Sequence, residues 1–314
     1  MNTNTWKIVE KRNLWLVLST SLIAIGFLFM VIRAFESKPI LNFGIDFSGG
    51  STMVLKFDRL THQLRQSPSS VHKQVSTRFI QDIRSVVAPF GLKSSEIQIS
   101  DAGEVIIKTG RTEGSHHEQI RQALEASFGH CDVLEVDFIG PTIGKELKFR
   151  SIWIVVLVSV GLMAYITWRF DWAFGVATLV ATLHDALFIL SFASICYLEI
   201  NVEFVAALLT IIGYSMNDTV VIFDRIRENM TSIASHTTAH IVNTSLVQTF
   251  SRTLLTVGTT LIVTISLLLF GGATIRDFSL ILFMGILIGT YSSIFVAAPI
   301  FVSLFKPTQS PKIG

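Results

Sequence analysis

Six long apolar stretches constrain the fold of this chain more than any other feature of its sequence. An α-helix needs about 20 mainly apolar residues to cross the hydrocarbon core of a membrane. Half of the 314 residues are hydrophobic and only 15% are charged, which is little charge for a soluble protein of this length. The sequence therefore predicts an α-helical integral membrane protein with six transmembrane helices, at roughly 14–34, 151–169, 172–196, 202–223, 250–270 and 278–304.

The polar segment between the first and second apolar stretches predicts a separate α+β domain. Alternating apolar residues indicate strands, and apolar residues near helical spacing indicate helices. The predicted elements are a strand at 51–57, a helix at 71–88, strands at 96–100 and 104–109, a helix at 113–128 and a strand at 131–138. The order β-α-β-β-α-β is that of a ferredoxin-like sandwich.

Four regions follow from this pattern. Residues 1–35 are expected to form a cytoplasmic N-terminus with the first transmembrane helix, 36–150 an extracytoplasmic ferredoxin-like domain, 151–305 a block of five transmembrane helices and 306–314 a cytoplasmic tail. Basic residues of short loops are enriched on the cytoplasmic side of a membrane. Both terminal segments carry Lys or Arg, whereas the short loops expected outside contribute only Arg276. We therefore expect both termini in the cytoplasm.

Asp218 is an acid inside the fourth apolar stretch, within GYSMNDTVVIFDRIREN (213–229). An aspartate near the bilayer centre costs at least ~2.5–3.5 kcal/mol on insertion scales, so a functional role is the first hypothesis. In the fifth stretch, Arg252 and Thr256 begin a polar stripe at i, i+4 spacing. Burial favours the neutral acid, whereas a nearby guanidinium favours the carboxylate. We predict that Asp218 and Arg252 form an ion-coupling site that takes a proton or a sodium ion.

Further polar residues of the apolar stretches are predicted to support this site. They are His184 and Asp185 in the third stretch, Asn217 beside Asp218, and Thr256. The simplest arrangement turns the three polar stripes towards a shared hydrated seam. Structural alternatives remain open, because Arg252 could be a positive-inside anchor and His184–Asp185 a hydrogen-bonded structural pair.

Several other motifs have structural interpretations. GIDFSGG (44–50) and DFIGPTIGKEL (137–147) predict tight turns at the two membrane junctions of the outer domain. Small residues four apart at 285, 289, 293 and 297 predict close helix packing. His236 and His240 have an i,i+4 spacing that can bind metal, but a plain loop or short helix is favoured because no Cys or carboxylate companion stands at ligand spacing. No cofactor is expected, and no basic stripe interleaved with aromatics suggests nucleic acid.

Together these motifs resemble the SecF family, the smaller membrane component of the SecD–SecF accessory to bacterial protein export. The residues that carry the resemblance are GIDFSGG (44–50), IGPTIGKEL (139–147), the HD of LHDALF (183–188), the 213–229 segment and SRTLLT (251–256). One helix, a domain and five helices also resemble one half of a resistance-nodulation-division (RND) transporter.

The resemblance implies a place and partners for the chain. It implies a multi-pass protein of the bacterial cytoplasmic (inner) membrane that pairs with a SecD-like subunit and associates with the SecYEG translocon. The pair would use the proton gradient to assist export of polypeptides, with Asp218 and Arg252 matching the family's proton pathway.

Two other functions are alternatives to a role in protein export. One is a half-size RND exporter of small molecules or lipids, although residues 36–150 make a small domain for substrate capture. The other is an intramembrane aspartyl protease that uses Asp185 and Asp218 as a pair of carboxylates. Such proteases use GxGD, and Ser215-Met216-Asn217-Asp218 does not match that motif. We therefore expect a transport subunit and no enzyme.

Overall fold

The fold is described from a computed structural model. The structure describes residues 7–36, 39–66, 69–92, 95–100, 103–110, 117–232, 236–272 and 275–305. The predicted tail, 306–314, lies outside the described residues.

The outer domain follows the first transmembrane helix and has the predicted ferredoxin-like topology. Its elements are preceded by α1 (Arg12–Phe35), β1 (Asn42–Phe43) and α2 (Ile45–Ser48), and they are β2 (Gly50–Phe57), α3 (Asp58–Gln66), α4 (Ser69–Val87), β3 (Glu96–Ile99), β4 (Glu104–Thr109), α5 (His117–Phe128) and β5 (Cys131–Ile139). The four longer strands form an antiparallel sheet in the order β3-β4-β2-β5. Leu55 and Ile107 from the sheet pack with Ile83 and Leu124 from the helices in one buried core.

Six helices are long and apolar enough to cross a membrane, as the sequence predicted. After α1 they are α6 (Pro141–Arg169), α7 (Trp172–Cys196), α8 (Val202–Ser232), α9 (Thr238–Phe270) and α10 (Arg276–Ser292). The short strand β6 (Glu199–Ile200) lies between α7 and α8, and α10 continues through a π-helix (Ser293–Ala297) into α11 (Ala298–Leu304).

Most of the helices are longer than the apolar stretches that predicted them, whereas α7 coincides with its predicted stretch, 172–196. The turn expected within residues 137–147 is wrong in part, because α6 begins at Pro141 inside that motif. Proline is favoured in the first turn of a helix, where a missing N–H is not needed. Helices α8 and α9 likewise extend into polar sequence, since hydropathy detects only the part of a helix that lies in lipid.

The GIDFSGG motif packs directly against the start of α6. Gly49 and Gly50 have φ values of 73° and 146°, which L side chains rarely adopt. A Cβ added at Gly49 would lie 2.9 Å from Cα of Pro141. These glycines therefore bring the entry to the domain and its exit into backbone contact.

The same motif holds the outer end of α8. Strand β1 pairs in parallel with β6, and the Val202 backbone N–H, at the first residue of α8, donates to Oδ2 of Asp46 at 2.8 Å. Lys108 of β4 forms an ion pair with Glu199 of β6. The outer domain is thus tied to the helix that carries Asp218.

Helix α8 packs against α7, α9 and α10. Its contact with α10 depends on small residues, as predicted. A Cβ added at Gly285 would lie 2.1 Å from Cδ1 of Ile211, and one added at Gly289 would lie 2.9 Å from Cβ of Ser215. The two helices therefore approach more closely than larger side chains would permit.

Candidate functional site

Asp218 lies inside the helix bundle, with 4% of its surface exposed. It sits on a continuous helix of 31 residues, and the apolar residues before it pack into the core of the bundle. Its Oδ2 atom is buried and has no hydrogen-bond partner among the described residues. Buried polar atoms are nearly always paired, so this unpaired carboxylate oxygen makes Asp218 a candidate for a functional role.

Arg252 lies across from Asp218 on α9, near enough for its charge to act on the carboxyl group. Its side chain is exposed in this chain, and it forms no ion pair with Asp218. The two groups are therefore neighbours without direct contact. A small relative movement of α8 and α9 would change their separation and the energy of their interaction.

Tyr214, one helical turn before Asp218, joins α8 to α9. Its hydroxyl group donates to the backbone carbonyl of Thr256 at 2.8 Å and lies 3.0 Å from Oγ1 of Thr260. The Thr256 hydroxyl donates to the carbonyl oxygen of Arg252 at 2.9 Å. The predicted stripe on α9 thus faces α8, although Thr256 satisfies its own hydroxyl within its helix.

Asn217 is exposed. Thr210 and Gly213 are exposed on the same side of α8, and nothing within 4 Å would meet a Cβ added at Gly213. Among the described residues, no helix of this chain covers this small, polar face. Asp218 therefore lies next to an exposed face of α8.

His184 and Asp185 belong to a different cluster. Asp185 has no exposed surface, and its Oδ2 atom accepts hydrogen bonds from Ser215 Oγ at 2.8 Å and Ser292 Oγ at 2.9 Å. Its Oδ1 atom lies 3.1 Å from Nδ1 of His184. The predicted shared hydrated seam is thus wrong for α7, because this cluster is closed and lies between α7, α8 and α10.

Ser215 and Ser292 complete the Asp185 cluster, and the sequence pattern does not predict them. Ser215 lies three residues before Asp218, and Ser292 lies beside the small-residue ridge of α10. A serine adjacent to a packing ridge, on a helix facing a buried acid, is the signal that would have found them. Each was hidden because serine is common in helix contacts within membranes.

The arrangement does not support a protease with paired carboxylates. Asp185 is surrounded by His184 and two serines, whereas no hydrogen bond joins Asp185 to Asp218 in the described part of the chain. An aspartyl dyad needs two carboxyl groups close enough to share one proton.

Comparison with known proteins places the chain in a family. The family model described as "Protein export membrane protein SecD/SecF, C-terminal" matches residues 119–306, and the SecD/SecF GG motif matches residues 41–59. The chain belongs to the SecD/SecF family of protein-export membrane proteins. The GG motif contains GIDFSGG, the segment that packs on α6 and holds α8.

Members of this family are similar to the chain over most of its length. It is 34% identical to the protein translocase subunit SecF of Sebaldella termitidis over 98% of this chain and 94% of that protein. It is 37% identical to the SecF subunit of Desulfurispirillum indicum over 93% of this chain and 89% of that protein.

Solved structures of SecDF have the same fold. The chain matches the translocon-associated membrane protein SecDF of Thermus thermophilus with a TM-score of 0.78 and 32% identity, over 96% of this chain and 39% of that one. It matches a SecDF structure in the super-membrane-facing form with a TM-score of 0.65 and 30% identity, over 95% of this chain and 38% of that one. The chain therefore spans well under half of the SecDF chain.

Proposed function

We propose that this SecF-like protein-export subunit couples ion movement at Asp218 to the export of polypeptides across the bacterial cytoplasmic membrane. The observation that carries the proposal is the Asp218 carboxyl group, buried within α8, with an unpaired oxygen and with Arg252 on the adjacent helix. No covalent chemistry is required for this function.

The site has the parts that a two-state ion switch needs. When Asp218 holds a proton it is neutral and can remain in an apolar environment. When it releases the proton, the carboxylate is stabilised by approach of the Arg252 guanidinium. A unit charge that crosses a potential of 100 mV changes the free energy by ~2.3 kcal/mol, which shifts a two-state equilibrium by about fiftyfold.

Helix α8 provides a direct route from the ion site to the outer domain. One end of this continuous helix is held by Asp46 and by the β1–β6 pairing, and Lys108 joins the domain to β6. Because the helix is rigid along its length, displacement at Asp218 moves its outer end. The outer domain would then change its position with each ion that binds and leaves.

A SecD-like partner is expected to complete the complex. The chain matches 39% of the SecDF chain, and we expect a SecD-like subunit to supply the remaining part and to cover exposed surfaces of this chain. Two such surfaces lie among the described residues. One is the small polar face of α8 near Gly213 and Asn217, and the other is the edge strand β5, whose Val136 and Phe138 side chains are exposed.

The remaining assignments rest on resemblance and on charge. The distribution of basic loop residues supports cytoplasmic termini and an outer domain outside the membrane. Contact with SecYEG and with the exported polypeptide is what the family implies for this subunit. Exposed apolar side chains on α1, α6 and α9 provide the lipid-facing surface. The coupling ion is a proton in this proposal, and an aspartate could also bind sodium.

Export assays with the reconstituted complex test the proposal. The Asp218→Asn variant should insert and pair normally but lose the stimulation of polypeptide export that an imposed ion gradient gives. Asp171→Asn is a matched control, because this aspartate caps the start of α7 and lies outside the bundle core. Full stimulation in Asp218→Asn would refute the coupling role. A complex that moved a dye but left polypeptide export unaffected would favour the small-molecule exporter.

A further inference from the structure

We propose that His184 and Asp185 form a second proton-binding site, closed to solvent, on the side of α8 that faces α7 and α10. The proton-binding assignment depends only on the geometry of this cluster. Its use in coupling rests on the function proposed above. The cluster is held together by side chains from three helices, and in the described part of the chain no hydrogen bond joins it to Asp218 or to α9.

The burial of Asp185 requires a compensating charge. The carboxyl group has no exposed surface, and His184 is 7% exposed. No lysine or arginine forms an ion pair with Asp185 among the described residues, and the ionisable group beside it is the imidazole of His184, which is charged only when protonated. An ionised carboxylate in an apolar interior carries a large desolvation cost when no opposite charge is paired with it. We infer that the pair is neutral overall, which requires one proton more than a carboxylate and a neutral imidazole carry.

The hydrogen bonds restrict where this proton lies. The hydroxyl groups of Ser215 and Ser292 both donate to Oδ2 of Asp185, so this oxygen acts as an acceptor. When both hydroxyl groups donate to Oδ2, the proton lies between Nδ1 of His184 and Oδ1 of Asp185, which are 3.1 Å apart. With the proton on either atom, Nε2 of His184 carries a hydrogen.

Nε2 of His184 gives an independent indication of function. The atom is buried and has no hydrogen-bond partner among the described residues. Leaving a buried donor unpaired costs about 1–3 kcal/mol, so a purely structural histidine would normally satisfy both nitrogens. A histidine that must change its protonation can retain such a defect.

Other titratable groups around the pair are few. Helix α10 presents Tyr291, whose ring centroid is 6.4 Å from that of His184 and whose hydroxyl donates to the carbonyl of Trp15 on α1. Helix α8 presents Asp218, one turn beyond Ser215. Among the described residues of α1 and α6, no charged side chain forms an ion pair with His184 or Asp185.

Ser215 connects the closed site with α8. It donates to Asp185, its own carbonyl oxygen accepts from Ser293 Oγ at 3.1 Å, and Asp218 follows three residues later. The π-helix of α10 begins at Ser293, immediately after Ser292. Such interruptions of a helix are often found at functional sites. Loss of the proton from His184–Asp185 would disturb the contact of α8 with α7 and α10 and thereby bias the position of Asp218.

Infrared difference spectroscopy of the complex in lipid nanodiscs tests the inference. Spectra are recorded between mildly acidic and alkaline pH in the Asp218→Asn background, so that Asp218 does not contribute and failure of the coupling role cannot affect the result. We expect carboxyl and imidazole bands that disappear when Asp185→Asn or His184→Gln is added. Ser292→Ala should shift the carboxyl band, and the control Ser191→Ala should not, because Ser191 bonds to the carbonyl of Ile23 on α1.

Three results would overturn the inference. Spectra that Asp185→Asn leaves unchanged would show that the pair binds no proton. Loss of the bands when sodium replaces potassium at constant ionic strength would show a sodium site in its place. If Asp185→Asn does not fold, the test passes to Ser292→Ala, and an unshifted carboxyl band in that variant would contradict the proposed hydrogen-bonded acid.

Discussion

Substitution of Gly285 by alanine should weaken the contact between α8 and α10. The added Cβ would lie 2.1 Å from Cδ1 and 2.3 Å from Cγ1 of Ile211, which is 1% exposed. Carbon atoms pack at ~3.5–4.0 Å, so the helices must separate by about 1.4 Å or Ile211 must leave its rotamer. Overpacking of this kind costs about 1–3 kcal/mol in the free energy of unfolding.

The chain offers a matched control for this substitution. Gly258 on α9 has nothing within 4 Å of an added Cβ. Gly258→Ala should therefore be neutral, or gain up to about 1 kcal/mol from helix propensity. Titration of the detergent-solubilised variants with SDS, followed by loss of helical circular dichroism, compares their stability. Equal unfolding midpoints for Gly285→Ala and Gly258→Ala would refute the close approach of the two helices.

A double-mutant cycle identifies the contact partner. Ile211→Ala removes all three side-chain atoms that Gly285→Ala would meet, and alone it should cost about 2–5 kcal/mol. Combined with Gly285→Ala, the new methyl group occupies space that Ile211 has left. The double variant should then be more stable than the sum of the single losses by about 1–3 kcal/mol. Additive losses would place the strain elsewhere.

Three further predictions concern charge. Arg252→Met should abolish gradient-stimulated export in proteoliposomes whereas Arg252→Lys should retain part of it, and equal activity of the two would remove the charge from the mechanism. Lys108→Glu or Glu199→Lys alone should reduce export, and the two together should restore it, because the charges of the ion pair are then exchanged. A double variant that exports no better than the single variants would show that the ion pair does not join the domain to α8. The pKa of His130 is raised, chiefly by its hydrogen bond to Glu125. The contribution of this contact to folding stability is therefore complete below the ordinary pKa of histidine, and it is lost as the pH rises through the raised pKa of His130. The rate of amide hydrogen exchange near the start of β5 should therefore increase towards alkaline pH by more than the intrinsic exchange rate does. The increase should be smaller in His130→Gln, and identical pH profiles of the two proteins would contradict this prediction.

Much of the fold could be predicted because lipid and sheet geometry leave strong periodic signals. Apolar length alone located six transmembrane helices, and alternation located the strands of the outer domain. The ends of the helices are harder to predict from sequence. The glycines near Pro141 predict a turn, yet proline is also favoured in the first turn of a helix, where Pro141 lies in α6.

The surroundings of Asp218 and Asp185 show what a sequence pattern leaves undetermined. The cost of a buried charge singled out Asp218 and Asp185, and both are buried. Helical spacing could not show which neighbour each would face, since rotation of one helix about its axis changes every partner. The close contact at Gly289 brings Ser215 and Ser292 to Asp185, which is therefore held in a closed cluster of its own where one shared seam was expected.

Ion flux through the reconstituted complex tests the central claim most directly. A pH-sensitive dye inside vesicles reports proton entry when a gradient is imposed while a polypeptide is being exported. The wild-type complex should show proton entry that depends on export, and Asp218→Asn should show only the background leak of vesicles without protein. Equal export-dependent entry in both complexes would mean that the ion does not pass through this carboxyl group.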